Sequence, residues 1–220
     1  MYVQFLVEDY SGEVLIRAII KKYNENSNNI IEYDIKPYKG IGGFKKGPNA
    51  ENIKSDHLLT DLPKRLRAYN NNLKNRENTS IFIILDNDKR NTDDFRRKLT
   101  EIAETNNIVI DYVYCIAIEE LEAWLLGDIN AVKAAYPKCK IGAKYNEYKQ
   151  DSICGTWEIL ADIIKSGTGR KSKKESTDYS EIGRLKSKWA EQIGIYLNIR
   201  DNRSPSFQYF ISELDKRNVI

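Results

Sequence analysis

Two rhythms of apolar and polar positions alternate along the first half of the chain. Tyr2-Val3-Gln4-Phe5-Leu6-Val7 is a short, nearly continuous apolar run closing on Glu8, the mark of a buried strand over residues 2–8. Helical spacing follows over 11–24, with Val14, Leu15, Ala18 and Ile19 on one face and Ser11 as the expected N-cap. Residues 30–38 predict a second strand. A Gly- and Lys-rich loop follows over 39–48, and a helix over 55–73 carries Leu58, Leu59, Leu62, Leu66 and Tyr69. The purest apolar run is Ile81-Phe82-Ile83-Ile84-Leu85, inside a strand predicted over 80–86 that stops on Asp86-Asn87-Asp88. A helix over 91–105 and a strand over 108–118 complete the series. Strand and helix in strict alternation predict an α/β fold, with a mostly parallel sheet covered by helices on both faces.

The pattern changes after Glu119-Glu120-Leu121-Glu122-Ala123-Trp124. Helical spacing recurs over 129–136, 156–165, 179–196 and 206–217, and no further segment has the pattern of a strand. The stretch 166–178 is polar, basic and glycine-containing, as a loop is. The expected organisation is an α/β core over 1–128 and a helical C-terminal region over 129–220 packed on it.

Composition narrows the chemistry. The 35 basic and 32 acidic residues leave a net charge of +3, so any nucleic-acid surface must be a local patch. Lys39, Lys45 and Lys46 form one candidate, Lys89 and Arg90 a second, and the run Arg170, Lys171, Lys173, Lys174 a third. Cys115, Cys139 and Cys154 offer no CxxC spacing, which excludes a zinc ribbon and suits a reducing compartment. Cys115 lies within an apolar strand, as a structural thiol would. His57 is the only histidine, which leaves little room for His-based catalysis. Trp124 has the setting of a core residue. The N-terminus lacks the basic leader and long apolar region of a signal peptide, and no run approaches the ~20 apolar residues of a membrane span, so the expected location is the cytoplasm.

Acids stand at the predicted strand ends: Glu8 after the first, Asp86 and Asp88 after the third, and Glu119, Glu120 and Glu122 after the fourth. The carboxyl ends of parallel strands share one edge, where open α/β sheets hold their ligands. Carboxylates gathered there repel one another unless a cation intervenes or a proton is shared. Hard oxygen donors suit Mg²⁺ or Mn²⁺. Each acid taken singly is equally well explained as a helix cap. Glu13 falls in the first turn of the first helix, where a helix dipole alone would favour it.

These residues resemble the TOPRIM domain, which carries a Glu after its first strand and an Asp-x-Asp after a later one; the counterparts are Val7-Glu8-Asp9 and Asp86-Asn87-Asp88. The fuller likeness is to the DUF4276 family, TOPRIM-like proteins related to the OLD-type nucleases. Its ordered pattern is matched by Glu8 with Glu13, Lys39-Gly40, Asp86 with Asp88, Glu122-Ala123-Trp124 and Ser204-Pro205-Ser206-Phe207. Two departures stand: Asp9 replaces the glycine usual after the first Glu, and the gap to Glu13 is one residue longer. The resemblance implies metal-dependent phosphodiester chemistry, often beside an ATPase partner in antiviral defence. The partners to consider are DNA or RNA, an ATPase and a second copy of the chain.

The expected roles follow. Glu8, Asp86, Asp88 and Glu122 carry the chemistry. Glu8, Glu13, Asp86, Asp88, Glu119 and Glu122 are the candidate ligands of Mg²⁺ or Mn²⁺. Lys39, Lys45, Lys46, Lys89 and Arg90 contact the phosphates of DNA or RNA. Ser204-Pro205 is either a cap over the crevice or simply a helix start. Rival readings fit less well. A dehalogenase-like phosphatase is poorly matched by Lys89-Arg90-Asn91-Thr92, and a Walker B strand has no G-x-x-x-x-G-K-[ST] partner. Nothing marks the nucleotide-sugar pocket of a glycosyltransferase. A non-catalytic module with vestigial acids is the alternative from a different class.

Overall fold

The structure is a computed structural model that describes residues 1–44, 56–167 and 179–219. Four strands, β1 (Tyr2–Val7), β2 (Glu32–Pro37), β3 (Thr79–Asp86) and β4 (Asp111–Ala117), form one all-parallel sheet in the order β2-β1-β3-β4. The registers Phe5↔Phe82 and Ile83↔Tyr114 fix the centre of that sheet. The central strands β1 and β3 are buried almost throughout, which is why their sequences are continuous runs. Edge strand β2 has an exposed face and a mixed sequence.

Helices close both faces. On one face α2 (Leu58–Leu73) and α3 (Thr92–Thr105) cover Leu6, Ile81, Ile83, Leu85 and Tyr114. The opposite strand positions, Val3, Phe5, Val7, Phe82, Ile84 and Cys115, meet α1 (Tyr10–Glu25) and the helices of the C-terminal half. These are α4 (Glu122–Leu126), α5 (Ile129–Ala135), α6 (Ala143–Glu147), α7 (Thr156–Ser166), α8 (Tyr179–Gly194) and α9 (Pro205–Arg217). Helix α8 packs on α1, and α9 packs on β4. No helix among the described residues is long and apolar enough to cross a membrane.

The expected alternation, parallel sheet and helical second half are all present. Three local details differ. The cap of α1 is Asp9 rather than Ser11: Asp9 Oδ1 accepts from Gly12 N at 2.8 Å and from Ser11 Oγ at 2.8 Å, so the helix begins one residue early. Strands β2 and β4 are shorter than their apolar runs, ending where sheet pairing ends. Helix α6 was not expected; it is five residues long and buries none, so no apolar stripe announces it.

The segment Ser204-Pro205 is a helix start. Ser204 Oγ accepts from Phe207 N at 3.3 Å, and Pro205 occupies the first turn of α9. It also braces Trp124, which is fully buried, stacks on Phe210 at 5.2 Å and donates from Nε1 to Ser206 Oγ at 2.9 Å. Asn202 Nδ2 donates to the Trp124 carbonyl at 2.8 Å, while its Oδ1 lies where a Cβ on Gly127 would fall, 2.0 Å away. Close approach at this point requires glycine. The two late sequence motifs thus lock onto each other and hold α4 in place behind the sheet edge.

Candidate functional site at the carboxyl edge of the sheet

Each acid is delivered by a strand end. Glu8 follows β1, and its Oε2 accepts from the Asp86 backbone N–H at 3.0 Å. Asp86 is the last residue of β3, and its Oδ1 accepts from Leu121 N at 3.0 Å, tying β3 to the turn that launches α4. Beyond Asp86, Asn87 N donates to Ala117 O and Asp88 N to Glu119 O, both at 2.9 Å, so the loops after β3 and β4 are zipped together. Asp88 and Glu119 adopt φ of +48° and +63°. Such left-handed geometry is costly for residues with a Cβ and concentrates where a fold must aim particular groups.

Two pairs of carboxylates adjoin, Glu8 with Asp86 and Glu120 with Glu122, and Asp86 feels the charge of Glu122 across the gap. The sequence contained no obvious fifth partner, but the structure supplies one. Lys186 on α8 places Nζ 3.0 Å from Glu122 and 3.1 Å from Glu120, with its side chain 13% exposed. A signal was present in the sequence: Lys186 is in helical phase with Trp189, Ala190 and Ile193, the buried stripe of α8. A charged residue on an apolar face needs a partner.

The electrostatics follow from this crowding. Withdrawal from water pushes the Glu8 carboxyl up to about 7, against the Asp86 N–H bond and with help from Asp88 and Asp9. Asp86 rises well above the ordinary carboxylate range through the same withdrawal and repulsion by Glu8. Glu120 is pushed up to about 7 by burial and then by Glu122, in spite of Lys186. Burial works against the charge on Lys186, but Glu122, Glu120 and Asp86 hold its ammonium above the usual range. The cluster is short of positive charge even with Lys186 in it.

Most other expected site residues are engaged by partners of their own. Glu119 caps α7: its carboxylate accepts from Cys154 N at 3.1 Å, Gly155 N at 2.8 Å and Thr156 N at 2.8 Å. Those bonds engage both of its oxygens with the start of α7, beside Glu120. Glu13 pairs along its own helix with Arg17 at 2.7 Å. Asp88 lies at the rim, contacting Arg90, whose guanidinium stands 5.2 Å from the Phe95 ring. Lys89 is exposed beside it. Lys39 pairs with Asp56 at 2.9 Å on the far side of Glu8, where Gly40 N donates to the Glu8 carbonyl. Lys45, Lys46 and the basic run 170–174 lie outside the described residues. Among the described residues no three of Asp, Glu, Cys and His converge as a ready-made ligand set.

A cavity of about 480 Å³ opens beside the cluster, lined by Asp88, Lys89, Glu120, Cys154 and Trp157 among others. A second, of about 260 Å³, lies past the end of β2 and is lined by Tyr10, Lys36, Lys39 and Arg65. The site is therefore an acid-lined depression at the strand ends with a hollow on each side.

A family model described as a domain of unknown function, DUF4276, matches residues 7–215. Neither a curated protein nor a solved structure matches the chain.

Proposed function

The chain belongs to the DUF4276 family, and we propose that it is a metal-dependent nuclease hydrolysing the phosphodiester bonds of DNA or RNA. The observation that supports this most is the meeting of Glu8 and Asp86 at adjacent strand ends, both withdrawn from water and both held above the ordinary carboxylate range. Half-buried carboxylates that face each other at a sheet edge are costly to stability, and such arrangements cluster at functional sites. Kinship with TOPRIM nucleases, work beside an ATPase partner and a part in antiviral defence belong to the same proposal.

The donor set suits one hydrated Mg²⁺ or Mn²⁺, which needs only one or two protein carboxylates and takes water for the rest. Asp86 and Glu8 would hold it, with Glu122 beside them. Bound there, the ion would supply charge stabilisation at the scissile phosphate. The protein's own groups do the rest. Glu8, held by the Asp86 N–H at 3.0 Å, would either complete that metal site or accept a proton from an attacking water. Lys186 offsets part of the charge of Glu120 and Glu122, and a bound divalent cation would offset more. Lys89 and Arg90 stand at the rim, where a phosphate would approach.

The test is cleavage of plasmid DNA, single-stranded DNA and RNA in Mg²⁺ or Mn²⁺ by the wild type and by Asp86→Asn. The expected result is metal-dependent cleavage that the variant loses while keeping its fold. Equal cleavage by both would refute the assignment. A second reading, a non-catalytic module, is favoured by one observation: Lys186 already neutralises part of the cluster. On that reading divalent metal neither binds nor activates.

A further inference from the structure

The strand order places three features in line along the carboxyl edge. The hollow holding Tyr10 and Lys36 lies at the end of β2, the acid cluster at the ends of β1 and β3, and the hollow holding Trp157 and Lys89 past β3 and β4. The two flanks are chemically alike. Each is lined by one aromatic ring that keeps some exposed surface: Tyr10 is 63% exposed, and Trp157 is half-buried, packed in part against the core. Each has one exposed lysine, Lys36 or Lys89, that forms no ion pair among the described residues. The other cations near these flanks, Lys39, Arg65 and Arg90, are paired with Asp56, Asp61 and Asp88.

We propose that the substrate is a single-stranded nucleic acid crossing this edge, its bases stacked on Tyr10 and Trp157 and its phosphates met by Lys36 and Lys89. The proposal rests on the phosphodiester reading of the cluster, which sets the scissile bond between the two rings. Three inter-strand spacings, about 14 Å, separate β2 from β4, a span suited to a short extended strand. A ring needs a bare base face to stack on. Unpaired bases offer one, whereas a duplex hides its faces in its own stack. Stacking is tolerant of sequence because every base has such a face. The inner wall of the Trp157 hollow is acidic, with Glu120 and Glu158, so the backbone belongs at the Lys89 rim and the base inside. Glu119, also in that wall, is occupied by the N–H groups of α7.

Trp157 provides a direct readout, because the other two tryptophans, Trp124 and Trp189, are buried. A short oligothymidine, an oligouridine and a duplex of equal length are titrated in chelator, following tryptophan fluorescence and, with labelled strands, anisotropy. The expected result is saturable, salt-sensitive quenching by the single strands and much weaker binding of the duplex. Tyr10→Ala and Trp157→Ala should each weaken single-strand binding about tenfold, while Tyr10→Phe retains it. Lys36→Gln and Lys89→Gln should each reduce the salt dependence. Duplex binding as tight as single-strand binding, or Tyr10→Ala and Trp157→Ala both indistinguishable from wild type, would overturn the proposal. Because metal is absent, the result is separate from cleavage. Aromatic-dependent binding without cleavage sustains this inference and counts against the nuclease, and cleavage of duplex without single-strand preference does the reverse.

Discussion

Glu8→Gln should make the protein more stable at about pH 8 while abolishing the proposed chemistry. Glutamine is the neutral isostere of the protonated acid, and its oxygen can still accept from the Asp86 N–H, as Glu8 Oε2 does at 3.0 Å. The rise of the Glu8 carboxyl from an ordinary 4.5 to about 7 corresponds to a penalty on the order of 3 kcal/mol for keeping it ionised in the fold. The sign follows from proton uptake. Below about pH 4.5 the group is protonated in both folded and unfolded chains, and wild type and variant are equal. Between 4.5 and about 7 the unfolded chain releases its proton while the folded one keeps it, so wild-type stability falls as pH rises. Above that the difference is full and constant. Urea unfolding in chelator across this range measures it directly, and a midpoint gain of roughly 6–12 °C is expected on heating near pH 8 for a chain of this size. A variant less stable than wild type at pH 8, or a difference that does not change with pH, would refute the reasoning.

Lys186→Met removes the internal cation and leaves Glu120 and Glu122 facing each other. It should cost about 3–5 kcal/mol near pH 8 by chemical denaturation. Without Lys186 the Glu120 carboxyl is raised further, so the loss should shrink as pH falls towards about 7 and level off below it, and a pH-independent loss would count against the ion cluster. Glu119→Ala should destabilise by roughly 2–4 kcal/mol through loss of the α7 cap. It should leave Mn²⁺ affinity unchanged, which calorimetry can check. A large drop in Mn²⁺ affinity in a folded Glu119→Ala protein would return Glu119 to the metal site.

The sequence was most informative where a residue's environment depends on its own element. Continuous burial on both faces made β1 and β3 visible as apolar runs, and their ends located Glu8 and Asp86. Pro205 after Ser204 announced α9 for the same local reason. The site's wiring depends on contacts far along the chain, and there local pattern says little. Glu119 looked like one more acid of a cluster, but its partners at 154–156 lie some 35 residues on, in a turn that carries no motif. Glu120, one position away, points into the cluster instead; the left-handed backbone of Glu119 accompanies this divergence. Lys186 was legible only as a charge in phase with an apolar stripe, a clue that gains meaning once α8 is known to lie against α1. The glycine missing after Glu8 also has an account: Asp9 serves as the cap of α1.

The most direct test of the central claim is Mn²⁺ binding followed by electron paramagnetic resonance of the free ion. Wild type should take up Mn²⁺ at a site that Glu8→Gln and Asp86→Asn each weaken about tenfold or more, with Glu13→Gln behaving as wild type. Equal uptake by all four proteins, or none by the wild type, would contradict the account.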